Sequence, residues 1–131
     1  MPAEVACSVE GALDKKAEEL VVLDLRELSD VTDFFIICHG SSDRQVAAIA
    51  DSIEERLKRA MGVRPAHIEG RRQADWILMD YIDFVVHVFH EERREFYRLE
   101  RLWGDAPRVE LPDVPTSGTD TRPTPPAPSG G

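Results

Sequence analysis

The sequence predicts an α/β domain: a sheet of about five strands with helices packed against it. Three observations carry that expectation. Short runs of Val, Ile, Leu and Phe recur between residues 20 and 89; amphipathic helical repeats lie before and among them; Gly, Ser or Pro marks most of the joins. At 131 residues the chain is one domain by length, with room for a single core.

Val5, Val9, Ala12, Leu13 and Ala17 recur at helical spacing and predict a first amphipathic helix over Glu4 to Glu19. Leu20-Val21-Val22-Leu23-Asp24-Leu25 reads as a strand, followed by a turn-rich Glu27-Leu28-Ser29-Asp30. Asp33 to His39 is apolar on both alternations, which places it in mid-sheet, covered on two sides. Gly40-Ser41-Ser42-Asp43 breaks that strand and opens the clearest helix. Ser42 and Gln45 fit a capping box, Val46, Ile49, Ala50, Ile53, Leu57 and Ala60 mark one face, and Gly62 is the stop.

Pro65 opens a short strand through Glu69, and Gly70 to Ala74 is a polar loop. Asp75 to Phe89 then reads as two strands joined by a tight turn at Tyr81-Ile82-Asp83. A last helix is expected from Glu91 to Gly104, with Phe96, Leu99 and Trp103 inward. Seven of the nine prolines lie from Pro107 onward, in a segment too poor in apolar groups to offset its ordering entropy. The expected domain is 1–109, with 110–131 a disordered tail. There is no internal repeat.

Sixteen basic residues against 25 acidic ones give a net charge of −9. Broad RNA or DNA binding is thereby disfavoured, since phosphate backbones are held by basic faces. A basic protein partner suits such a surface better, although a merely solubilising role fits the charge as well. Cys7, in an expected loose N-terminus, and Cys38, at a strand end, read as free thiols. The longest apolar run, Phe34 to Cys38, is far short of the ~20 residues that span a bilayer. The acidic N-terminus resembles neither a signal nor a transit peptide, so a cytoplasmic protein without membrane contact is expected.

No set of residues demands catalysis. Gly40-Ser41-Ser42-Asp43-Arg44 has the strand–loop–helix outline of a phosphate loop, but it has one glycine and an acid where the anion would sit. Nucleotidyltransferases need two carboxylates at i and i+2 on a strand, which can grip the same metal ions. No such pair occurs between Leu20 and Glu91. His39, His67, His87 and His90 form no metal-ligand spacing, and no serine sits in a Gly-x-Ser-x-Gly elbow. Neither a metal nor a cofactor is expected. Arg93, Arg94, Arg98 and Arg101 alternate with acids and suggest pairing within the helix, whereas Arg71 and Arg72 in a loop are candidates for a contact.

Several segments, taken together and in this order, resemble the ribosomal silencing factor, or Iojap-like, family. They are Lys15-Lys16-Ala17-Glu18, Thr32-Asp33-Phe34-Phe35-Ile36, Gly40 to Val46, Glu69-Gly70, Asp75 to Tyr81, Asp83 to Phe89, Glu95-Phe96-Tyr97, and Leu99 to Pro107. The match covers roughly 9–109. The resemblance implies a mixed sheet flanked by helices, related to the nucleotidyltransferase fold but without its activity. It also implies a homodimer that binds the large ribosomal subunit through the subunit protein numbered fourteen. Such a factor blocks joining of the small subunit and lowers translation when nutrients are short. Two positions depart from the family pattern: His39, where many relatives carry a small hydroxyl residue, and Ile82, where a glycine is common. Because Ile adopts positive φ poorly, another turn type is expected at position 82.

The docking site is expected on the hairpin. Trp76 and Tyr81 are the apolar anchors, Asp80 the acidic partner of a basic residue, and Glu69 and Arg71 lie nearby; Tyr97 in the final helix is the next candidate. Tyr81, at the turn, is expected to be the more exposed aromatic. Trp76 is open between anchor and core.

Overall fold

In the structure, a computed structural model that describes residues 1–93, 106–109 and 111, seven elements follow one another. They are α1 (Ala3–Asp14), β1 (Glu18–Asp24), β2 (Phe34–Gly40), α2 (Asp43–Met61), β3 (His67–Glu69), β4 (Trp76–Asp80) and β5 (Phe84–His90). The strands form one sheet in the order β1-β2-β5-β4-β3. β2 and β5 run parallel at its centre, and the other pairings are antiparallel, so the sheet is mixed. A parallel pair needs a long crossover, which α2, β3 and β4 supply.

Both helices lie on one side of the sheet. Val5, Val9 and Ala12 of α1 and Val46, Ile49, Ile53 and Leu57 of α2 close over Ile36, Ile77, Met79, Val86 and Val88. The helices meet where Gly11 lacks a side chain: a Cβ there would stand 3.0 Å from the Cα of Ile53. Ser52 Oγ donates to the Gly11 carbonyl at 2.7 Å across the same contact. α2 is capped as its sequence predicts. Ser42 Oγ accepts from the Gln45 N–H at 3.1 Å, and Gly62 closes the helix at φ 66°.

Four expectations need correction. The first helix ends at Asp14, not near Glu19, because Lys16 turns the chain at φ 62° and Glu18 already begins β1. Gln45 fixes that turn by donating Nε2 to the Lys15 and Lys16 carbonyls. Cys7 is not in a loose terminus: it is buried in α1. Ile82 does adopt positive φ, at 74°. The turn is closed by Tyr81 N–H donating to the Phe84 carbonyl and Ile82 N–H to Asp80 Oδ1, and the Ile82 side chain is 60% exposed, so nothing crowds it. Arg93 reaches outside its own helix: its Nε donates to Asp75 Oδ2 at 3.1 Å.

Beyond the hairpin, Pro107 to Val109 lies along β1. Asp24 N–H donates to the Pro107 carbonyl and Val109 N–H to the Val22 carbonyl, both at 2.8 Å. Leu111 packs on the core as well, so chain contact runs past 109. Phe96, Tyr97, Leu99, Trp103 and the arginines at 94, 98 and 101 lie outside the described residues, as does 112–131. Among the described residues no helix is long and apolar enough to cross a membrane.

Candidate functional site

Alternation along the strands assigns every side chain to one side of the sheet. On the side away from the helices, the register sets Phe35 beside Val85, Ile37 beside His87, and Leu78 beside His87 from the other flank. Trp76 is opposite Phe89, Asp80 is opposite Val85, and Glu69 of β3 is opposite Leu78. Toward β1 this side is closed by a small cluster of Leu23, Leu25, Ile37, Phe89 and Ala106. Phe35, Trp76, Leu78 and Val85 stay half-buried. The result is an apolar patch with two carboxylates, Glu69 and Asp80, at its β3–β4 margin.

The patch has a polar centre. Trp76 Nε1–H donates to His87 Nδ1 at 3.2 Å, and the indole stacks on Phe89 with ring centroids 5.0 Å apart. Phe35 meets the His87 ring edge-on at 4.6 Å. His87 is only 3% exposed, and burial pushes its pKa down to about 4, so the ring is neutral near pH 7. Since an indole can only donate, Nδ1 is the acceptor and the proton sits on Nε2. That Nε2–H is buried and has no hydrogen-bond partner among the described residues, an arrangement that costs about 1–3 kcal/mol.

The residues expected to form the docking site fall into two groups. Trp76, Asp80 and Glu69 share the patch. Asp80 spends Oδ1 on the turn, and Glu69 lies 2.6 Å from His67 Nε2. Tyr81 and Arg71 face the helices instead. Tyr81 is 7% exposed, stacked on Phe84 at 4.8 Å, and not the exposed aromatic its turn position suggests. Its hydroxyl has no partner among the described residues, and burial raises its pKa. Arg71 donates to Asp51 and, at 2.6 Å, to Glu54, so it braces the loop against α2. Tyr97 lies outside the described residues.

Sequence reasoning missed His87, Phe35, Leu78 and Val85 as members of this surface. The signal was present: a lone histidine inside Phe84-Val85-Val86-His87-Val88-Phe89, and Phe35, Leu78 and Val85 at the alternate positions of their strands.

The Gly40–Ser42 loop cannot cradle an anion as it stands. Gln45 Oε1 takes the Ser41 N–H at 2.7 Å, Ser42 takes the N–H groups of Gln45 and Val46, and Gln45 fills the space above Gly40. Among the described residues, Glu18, His39 and Glu91 bring metal-type donor atoms within 4.8 Å of one another. The His39 Nε2 to Glu18 Oε1 distance of 3.2 Å is already that of an ion pair or hydrogen bond. A groove between the end of α1 and α2 is lined by Asp14, Lys15, Ser52, Glu55, Arg56 and Arg59. Its arginines pair with nearby acids: Arg56 with Glu10 and Asp14, and Arg59 with Glu55.

The family described as "Ribosomal silencing factor during starvation" matches residues 1–129. A ribosomal silencing factor from Halalkalibacterium halodurans is 48% identical over 107 residues, covering 82% of this chain and 91% of that protein. One from Bacillus subtilis is 48% identical over 98 residues, covering 75% and 82%. The chloroplast protein Iojap of Zea mays is 33% identical over 78% of this chain and 44% of its own length. A crystal structure from Bacillus halodurans superposes with a TM-score of 0.72 at 44% identity, covering 82% of this chain and 96% of that one. Another, from Chromobacterium violaceum, gives 0.74 at 33% identity, covering 85% and 88%.

Proposed function

The chain belongs to the ribosomal silencing factor family, and we propose that it docks on the large ribosomal subunit and lowers translation by obstructing the small subunit. Its contact there is the subunit protein numbered fourteen, and the effect is greatest when nutrients are short. The observation that carries this reading is the half-buried apolar patch around Trp76, edged by Glu69 and Asp80. A Trp at such an edge offers a large contact area with few rotors to freeze, and the two carboxylates suit a basic partner. The net charge of −9 works in the same direction and against broad RNA binding.

The action is steric and needs no catalysis: no strand of the sheet carries two acids at i and i+2. Outside the ribosome the protein is a homodimer, which light scattering at micromolar concentration would report as twice the 14.7 kDa chain.

The test is subunit joining followed by light scattering, with purified subunits and increasing protein. Joining should fall with wild type and recover with Trp76→Ala or Asp80→Ala, in proportion to their loss in large-subunit pull-down. Undisturbed joining at saturating wild-type protein would sink the reading. So would metal-dependent nucleotide turnover by the purified chain.

A further inference from the structure

We propose that His87 is a positioning residue of the docking face, holding the indole of Trp76 through Nδ1 in the pose that meets the partner. The proposal rests on the reading of that face as the docking surface. Trp76 is half-buried at the margin of the sheet, where an unheld indole would sample several rotamers. Freezing such a side chain on binding weakens association, and holding it beforehand avoids that loss. The Nε1–H to Nδ1 hydrogen bond of 3.2 Å supplies the hold, with stacking on Phe89 as the second constraint.

His87 is itself fixed. Phe35 meets its ring edge-on, its plane lies 10° from that of Phe89, and Ile37 and Leu78 flank it in register. The Nε2–H, without a partner among the described residues, is the observation that separates positioning from packing. A Leu or Phe would fill this place without burying an unpartnered donor, so packing alone gives no reason for an imidazole. The Nδ1 lone pair gives one: it is the acceptor in contact with the indole N–H. Burial keeps the ring neutral, so the lone pair persists throughout the neutral pH range.

Imidazole ¹⁵N shifts of the wild-type chain come first, because they need no variant to fold. The Nε2–H tautomer is expected, and an Nδ1–H tautomer overturns the proposal. His87→Phe, His87→Asn and Trp76→Ala then enter large-subunit binding, with the Trp76 indole N–H followed by NMR. His87→Phe should bind about three- to tenfold more weakly, the scale of immobilising one side chain, with the indole N–H exchanging faster. His87→Asn, whose Oδ1 replaces the Nδ1 acceptor, should recover most of the binding. If His87→Phe binds like wild type while Trp76→Ala does not, only the role of His87 falls. If Trp76→Ala also binds like wild type, the docking reading falls and takes this proposal with it.

Discussion

On the helix side of the sheet, Ile36, Ile77, Met79, Val86 and Val88 have no exposure at all. Across the same strands, Phe35, Trp76, Leu78 and Val85 remain half-buried around a histidine with a nitrogen unpartnered among the described residues. The first side is filled by the chain's own helices, is apolar throughout its centre, and meets its neighbours as closely as Gly11 meets Ile53. The second holds a polar group at a place where an aliphatic side chain would be more stable. One sheet therefore divides its work. The covered side supplies folding energy, and in the proposed docking reading the other offers its half-buried apolar area to a partner.

The sharpest way to break that contrast is to damage each side and compare. Ile53→Ala removes a fully buried side chain between α1, α2 and the sheet, and should lower stability by ~2–5 kcal/mol. Large-subunit binding by the fraction that remains folded should not change. Thermal unfolding run beside pull-down reads both quantities. A specific loss of binding would mean that the helix side also serves recognition.

Acid should act on the other side through His87. Its folded pKa of about 4 lies below the ordinary 6.5, so both states are neutral above about pH 6.5 and the contribution is complete there. As pH falls, the unfolded chain takes up the proton first, and about 3 kcal/mol should be lost between roughly pH 6.5 and 4. Urea unfolding of wild type and His87→Phe across that window should show wild type losing stability relative to the variant as pH drops. Parallel curves would show that the imidazole is not neutral when folded.

Trp76→Ala comes next, with ~2 kcal/mol of binding lost and a smaller stability cost than Ile53→Ala. If stability suffers more than with Ile53→Ala while binding persists, Trp76 is ordinary core and the two sides are alike. The smallest effect is expected from Tyr81→Phe. Its hydroxyl is buried and unpartnered among the described residues, so removing it should change stability by less than ~1 kcal/mol, and in the favourable direction. A clear destabilisation would reveal a partner for that oxygen.

Much of the fold was legible in the sequence because its signals are local. The Ser42–Gln45 cap, the Gly62 stop, the apolar runs of β2 and β5 and the Tyr81–Asp83 turn each depend on a few neighbouring residues. Where a distant partner acts, the reading slipped. α1 stops early because Gln45, about thirty residues on, holds the Lys15–Lys16 turn. Arg71 carries no local sign of its partners, Asp51 and Glu54 of α2, which lie seventeen and more residues away. Tyr81 looked exposed because turns usually are, yet this turn folds its aromatic ring onto Phe84 beneath the helices.

The candidate site shows the same division. Periodicity in Trp76 to Asp80 and Phe84 to His90 determined which residues share a side, because a strand alternates whatever surrounds it. It puts Trp76 and Asp80 on one side, whereas Glu69 joins them only through the β3–β4 register. Which side the helices would cover was decided only by tertiary structure. The strand patterns are apolar on both alternations and carry no mark of what lies above them. Packing of α1 and α2 onto Ile77, Met79, Val86 and Val88 left Trp76 and His87 on the other side, where the indole N–H meets the imidazole.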